Sequence, residues 1–181
     1  MNNRKRLLWI TQTAVFLALI IVSQLLTQSA SQFVTGSLVN LLLILCGACT
    51  GLASALSIAI LSPILAFLFG IGPAFIQLIP FVMLGNIVIV AITAPLFRKS
   101  TTSTYWLYSA LGVLIGMFAK FGTLWLGVVQ IGLKIIPEIK PPQVERMSMM
   151  FSWPQLITAC IGGVLAIIIY PYLRRILHSK T

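Results

Sequence analysis

Lys120 stands in the stretch GMFAKFGTLW, inside an apolar run with no carboxylate nearby in sequence. The chain has two acidic residues, Glu138 and Glu145, and both fall in one proline-rich stretch, KIIPEIKPPQVERMSMM. A cation placed in bilayer hydrocarbon costs at least about 2.5–3.5 kcal/mol on insertion scales unless something compensates it. No acid in the apolar runs can do so. Two readings follow. The aliphatic stem lets the ammonium snorkel to an interface, or the countercharge arrives from outside as an anionic ligand.

The uncharged polar residues of the apolar runs bear on that choice. Asn40, Gln77, Asn86, Gln130 and Gln155 are amides that need partners once buried, and Trp125 and Trp153 offer large flat surfaces. Together with Lys120 these eight residues form the candidate binding set. A half-polar, aromatic-lined cavity is what a small organic ligand requires. The alternative is that the amides hydrogen-bond helices to one another. Lys120 points to a carboxylate or phosphate on the ligand and the tryptophans to a ring-bearing or apolar body, as in a pantothenate-like or folate-like acid.

Other chemistry is poorly supplied. His178 is the only histidine, so metal sets and acid–base pairs are lacking, and no catalytic residue, metal or cofactor is expected. No G-x-x-x-x-G-K-[ST] loop is present for a nucleotide. Cys46 and Cys49 make a C-x-x-C, which leaves a membrane thiol oxidoreductase as one alternative function. A stand-alone carrier is another. A self-powered transporter usually shows a membrane carboxylate or broken helices. Met147 to Met150, MSMM, could suggest haem or a soft metal, but fit a mobile lid better, since methionine fills irregular gaps.

The elements that must position these residues are membrane helices. Of 181 residues 59% are hydrophobic and 8% charged, against roughly 25% charged in a soluble domain. We expect an all-α integral membrane protein, a single membrane domain over 1–181, with six transmembrane helices at about 8–27, 37–49, 52–69, 73–97, 105–131 and 153–172. Gly70 to Pro73, GIGP, is a breaker that starts the fourth span near Pro73, and Pro80 then falls inside that span and should kink it or loosen a backbone hydrogen bond. The run from Leu7 to Leu26 exceeds the roughly 7–15 residues of a signal-peptide core, so it is read as a retained first helix.

Net charge is +10, but the bases cluster at the ends of apolar runs, which excludes a nucleic-acid stripe. With both termini cytoplasmic, the inner side receives Arg4, Lys5, Arg6, Arg98, Lys99, Arg174, Arg175 and Lys180. The outer side receives Lys134, Lys140 and Arg146. This is the positive-inside pattern for six spans. The amides and tryptophans then fall mostly in the outer half, with Gln24, Gln28 and Gln32 around the outer end of the first helix.

Small residues recur at helical spacing: Gly47/Gly51, Gly112/Gly116 and Ala14/Ala18. Such pairs let helices approach closely, within the protein or against a partner. The size, six apolar spans, basic ends and AVFLA on the first helix resemble the substrate-binding S components of energy-coupling factor (ECF) transporters. So do the stretches FVTGSLVNLLLILCGACTGLASALSIAILSPILAFLFGIGPAFIQLIPFVMLGN and FSWPQLITACIGG. The resemblance implies a multi-pass protein of the bacterial cell membrane that captures a vitamin or micronutrient with high affinity. It implies a membrane coupling subunit docked at Ala14 and Ala18 and two cytoplasmic ATPase subunits that power uptake. It also implies a binding site in the outer half, formed by helices 4 to 6 and the loop after helix 1.

Overall fold

The computed structural model describes residues 3–99, 103–137 and 139–178, with the side chains of residues 4, 5, 177 and 178 outside that description. Lys180 and Glu138, and the side chains of Arg4, Lys5 and His178, therefore lie outside the described residues. The elements are α1 (Asn3–Leu26), α2 (Gln32–Cys49), α3 (Leu52–Leu68), α4 (Ile79–Lys99), α5 (Tyr105–Leu124), α6 (Leu133–Ile135), α7 (Pro141–Met150) and α8 (Pro154–His178). A 3-10 turn at Ile76–Leu78 leads into α4, and a π-helical stretch, Trp125–Gly132, joins α5 to α6. Among the described residues, five helical segments are long and apolar enough to cross a membrane, and Leu52–Leu68 is a shorter apolar helix. At 1.5 Å per residue the 17 residues of α3 reach about 26 Å, a little short of the roughly 30 Å hydrocarbon core. The chain is an all-helical, multi-pass membrane protein.

Several boundaries differ from the sequence expectation. The second helix begins at Gln32, five residues before Ser37. Gly36 stays in it because α8 packs against it: a Cβ there would meet Thr158 Cγ2 at 2.9 Å. The fourth helix begins at Ile79, well after Pro73. Gly70 and Gly72 hold φ of 72° and 98°, a left-handed backbone that cannot continue into a helix. Pro80 consequently sits in the first turn of α4, where its missing N–H costs nothing, and the expected mid-helix kink is absent there. Pro63, Pro95 and Pro171 are the prolines inside helices. The stretch read as a loop contains α7, opened by Pro141 and Pro142, with Gln143 Oε1 accepting the Lys140 N–H at 3.1 Å.

The glycine pairs serve internal packing. A Cβ on Gly112 or Gly116 would meet Leu96 or Thr93 of α4 at 3.2 Å, and one on Gly47 would meet Ala94 at 2.7 Å. The main core joins α2, α3, α4 and α8 around Ile44, Ile58, Val90 and Ala166. A second cluster, including Leu124, Val128, Leu133, Met147 and Phe151, fastens α7 to the far end of the fifth span. The first helix is peripheral: 6% of its apolar window is buried, against 33–56% for the other four long segments. Thr13 Oγ1 ties it to Ser54 Oγ of α3 at 2.8 Å.

Candidate functional site

Lys120 lies in the last turns of α5, and α2 and α4 bring one asparagine each to it. Its Nζ donates to Asn40 Oδ1 at 2.6 Å and to Asn86 Oδ1 at 2.8 Å. All three side chains are buried, with Lys120 4% exposed. The ammonium does not snorkel to an interface; it is held inside the bundle by two neutral oxygens. Asn40 turns its own Nδ2 to Thr158 Oγ1 of α8 at 3.4 Å, so three spans meet at the cation and a fourth joins through Asn40. An ammonium has three N–H donors, so one remains beyond those given to the asparagines. Hydrogen bonds to amide dipoles position the charge but do not neutralise it.

Lys120, Asn40 and Asn86 line a cavity of about 780 Å³. That lies within the size range of small-molecule sites. The cavity extends to the ends of α1, α3 and α7 and the starts of α2 and α8, at the end of the bundle away from the start of α1 and the end of α8. Trp153 and Gln155 line it as well. The Trp153 ring packs on Phe33 with centroids 5.8 Å apart, and Gln155 Nε2 donates to the Met150 carbonyl at 3.0 Å. Gln32 Nε2 donates to the same carbonyl at 2.7 Å, so the end of α7 is held by both α2 and α8. Met149 and Met150 line the cavity while Met147 anchors α7 below it.

Three candidates from the sequence are not brought to this cavity. Gln77 is exposed on the 3-10 turn, because α4 starts after it. Trp125 is 37% exposed and Gln130 accepts a hydrogen bond from Lys134 Nζ at 3.1 Å. Both were placed by depth alone. Residues five and ten positions after Lys120 do not share its helical face, whereas Leu124, four positions on, does. Leu124 lines the cavity.

Several polar lining residues fall outside the eight-residue set. Gln24 of α1 is 9% exposed with no partner for Oε1, and Ser62 of α3 is 1% exposed with no partner for Oγ. Buried polar atoms are ordinarily bonded; these two stand unpaired behind the surface of the cavity wall. Arg146 on α7 and Gln28 also line the space. Arg146 was visible in the sequence only as an orientation charge. The double proline followed by Gln143 was the signal that a helix would carry it.

The remaining motifs lie elsewhere. Cys46 is buried and Cys49 half-buried, both as free thiols, and Cys46 Sγ sits 3.2 Å from Thr50 Oγ1. Neither lines the cavity. No group of three or more His, Cys, Asp or Glu gathers among the described residues. Ala14 and Ala18 face outward on α1, between Val15, Leu19 and Val22, each about half exposed.

The family model for the ECF transporter substrate-specific component matches residues 9–174. No curated protein and no solved structure matches the chain.

Proposed function

The chain belongs to the family of substrate-specific components of ECF transporters, and from that premise we propose that it captures a small anionic solute at Lys120. Members of this family are membrane substrate-binding subunits for uptake and not enzymes, so the thiol oxidoreductase reading of Cys46 and Cys49 is set aside. The observation that carries the anionic reading is the Lys120 ammonium. It has two amide oxygens as partners, a third donor to give, and a 780 Å³ cavity beside it. A carboxylate or phosphate oxygen on that third donor supplies the charge that Asn40 and Asn86 lack.

The rest of the cavity suits a solute with an apolar body and hydrogen-bonding groups at a distance from its anion. Gln24 Oε1 and Ser62 Oγ are unpaired in the cavity wall, and a turn of either side chain would offer it to the solute. Trp153 provides a flat wall, and Arg146 adds a second cation from α7. The vitamin-like acids fit this description. Substrate-binding residues are thus Lys120, Asn40, Asn86, Trp153 and Gln155, joined by Gln24, Ser62 and Arg146. Gln77, Trp125 and Gln130 drop out of the set.

The cavity end faces the exterior of a bacterial cell membrane and the termini face the cytoplasm, in line with the distribution of Lys and Arg. Uptake is powered by a membrane coupling subunit and two cytoplasmic ATPase subunits. The small-residue stripe of Ala14 and Ala18 receives the coupling subunit, since α1 is the least buried of the long spans. Mass spectrometry of whatever small molecule co-purifies with the tagged chain tests the solute class: an acid or phosphate supports it, and a neutral or cationic molecule overturns it. ATPases retained in mild detergent separate this reading from a stand-alone carrier.

A further inference from the structure

A second cavity, of about 630 Å³, lies at the opposite end of the bundle, between the start of α5 and the end of α8. A proline explains the local structure. Pro171 lies inside α8 and has no N–H to give the carbonyl of Ile167, four residues earlier. Tyr105, the first residue of α5, donates its hydroxyl to that carbonyl at 2.7 Å. A backbone acceptor at membrane depth must find a partner within the protein, and here a side chain from the neighbouring helix provides it. Both Tyr105 and Pro171 line the cavity.

The inner wall is aromatic. Tyr105 and Tyr170 are buried and stack with ring centroids 6.0 Å apart, and Trp106 meets Tyr105 edge-on at 5.5 Å. The outer wall faces the surroundings: Trp106 is 63% exposed and Tyr172 65% exposed. Arg174 and Arg175, both exposed on the last turns of α8, complete the lining. Glu145, the acidic side chain among the described residues, lies on α7 at the other end.

Tryptophan and tyrosine at the end of a span sit at headgroup level. Guanidinium groups form planar, bidentate hydrogen bonds to phosphate. An aromatic cleft with an arginine rim at the ends of two spans therefore complements a group that is anionic at one end and apolar at the other. We propose that this cavity binds the headgroup of an anionic phospholipid, with its phosphate on Arg174 and Arg175 and its glycerol backbone against Trp106 and Tyr172. The proposal stands on a different cavity from the solute site and does not depend on the anionic reading of Lys120.

The test uses the full chain, stripped of lipid in detergent and titrated with dioleoyl phosphatidylglycerol or dioleoyl phosphatidylcholine, with bound lipid read by native mass spectrometry. One phosphatidylglycerol should be retained in preference to phosphatidylcholine. Arg175→Gln should weaken its retention roughly fivefold, and Arg174→Gln with Arg175→Gln roughly 25-fold at low salt. Trp106→Ala, which keeps the rim charge, should weaken both lipids. Melting temperature verifies that each variant is folded. Equal retention of the two lipids, or undiminished phosphatidylglycerol on the double glutamine variant, overturns the proposal. So does displacement of the lipid by millimolar inorganic phosphate or glycerol phosphate, which would make this a soluble-anion site. Loss of lipid retention whenever a coupling subunit is bound would assign the surface to a protein partner instead.

Discussion

Lys120 Nζ and Asn86 Oδ1 are 2.8 Å apart, joining α5 to α4 through a cation and an uncharged oxygen. The partner could have been an aspartate of nearly the same shape, and it is not. A carboxylate there would satisfy the ammonium permanently; an amide holds it in place and leaves its charge to be met by something else. Asn40 repeats the arrangement from α2 at 2.6 Å.

Asn86→Asp should therefore convert the site into a self-neutralised ion pair. Solute affinity, measured by titration calorimetry with the co-purifying molecule, should fall at least about tenfold, or about 1.4 kcal/mol. The melting temperature of the empty protein should stay the same or rise. Unchanged affinity would mean that charge at Lys120 is not what the solute reads.

Ser62→Ala separates ligand contacts from structural ones. The Ser62 hydroxyl oxygen has no partner in the empty protein. Removing an unsatisfied buried polar atom is neutral or stabilising by up to about 1 kcal/mol. The variant should melt no lower than wild type yet bind the solute several-fold more weakly. A loss of stability with unaltered binding would assign Ser62 to helix packing.

Ala14→Trp and Ala18→Trp test the docking face. Both positions are exposed on α1, so an indole there can project away from the bundle. Solute binding by the purified subunit should be within twofold of wild type, while uptake in cells carrying the coupling subunits should be lost. Uptake at the wild-type rate in both variants would move the coupling surface elsewhere.

Tyr105→Phe removes the side-chain donor that reaches the carbonyl of Ile167, and should cost about 1–3 kcal/mol. Pro171→Ala returns a backbone N–H to that carbonyl. The pair of changes should therefore be non-additive, with Pro171→Ala recovering most of the loss in melting temperature caused by Tyr105→Phe. Strict additivity would show that the two groups do not share one acceptor.

The sequence made some of this architecture legible and hid the rest for definable reasons. Composition identified the membrane bundle, and the absence of acids from the spans made Lys120 the residue to follow. Asn40 and Asn86 could be placed at a compatible depth, since depth follows from counting residues along a span. Azimuth does not follow so simply. Trp125 and Gln130 sit at plausible heights on the wrong side of the fifth span, where the π-helical stretch Trp125–Gly132 replaces an ordinary helix. Gln77 was misplaced because two glycines with positive φ delay the start of α4. The contributions of Gln24 and Ser62 depend on how α1 and α3 rotate toward the cavity, and packing decides that. Arg146 was hidden by prolines that read as loop and turned out to open a helix.

The most direct measurement is the dissociation constant of the co-purifying solute for Lys120→Met against wild type, in detergent, with melting temperature as the control for folding. Methionine keeps the length and apolar stem of the side chain and deletes its charge. If the ammonium held by Asn40 and Asn86 awaits an anion from outside, affinity should fall by at least about 100-fold, or about 2.7 kcal/mol. Binding within twofold of wild type by a folded variant would contradict the account.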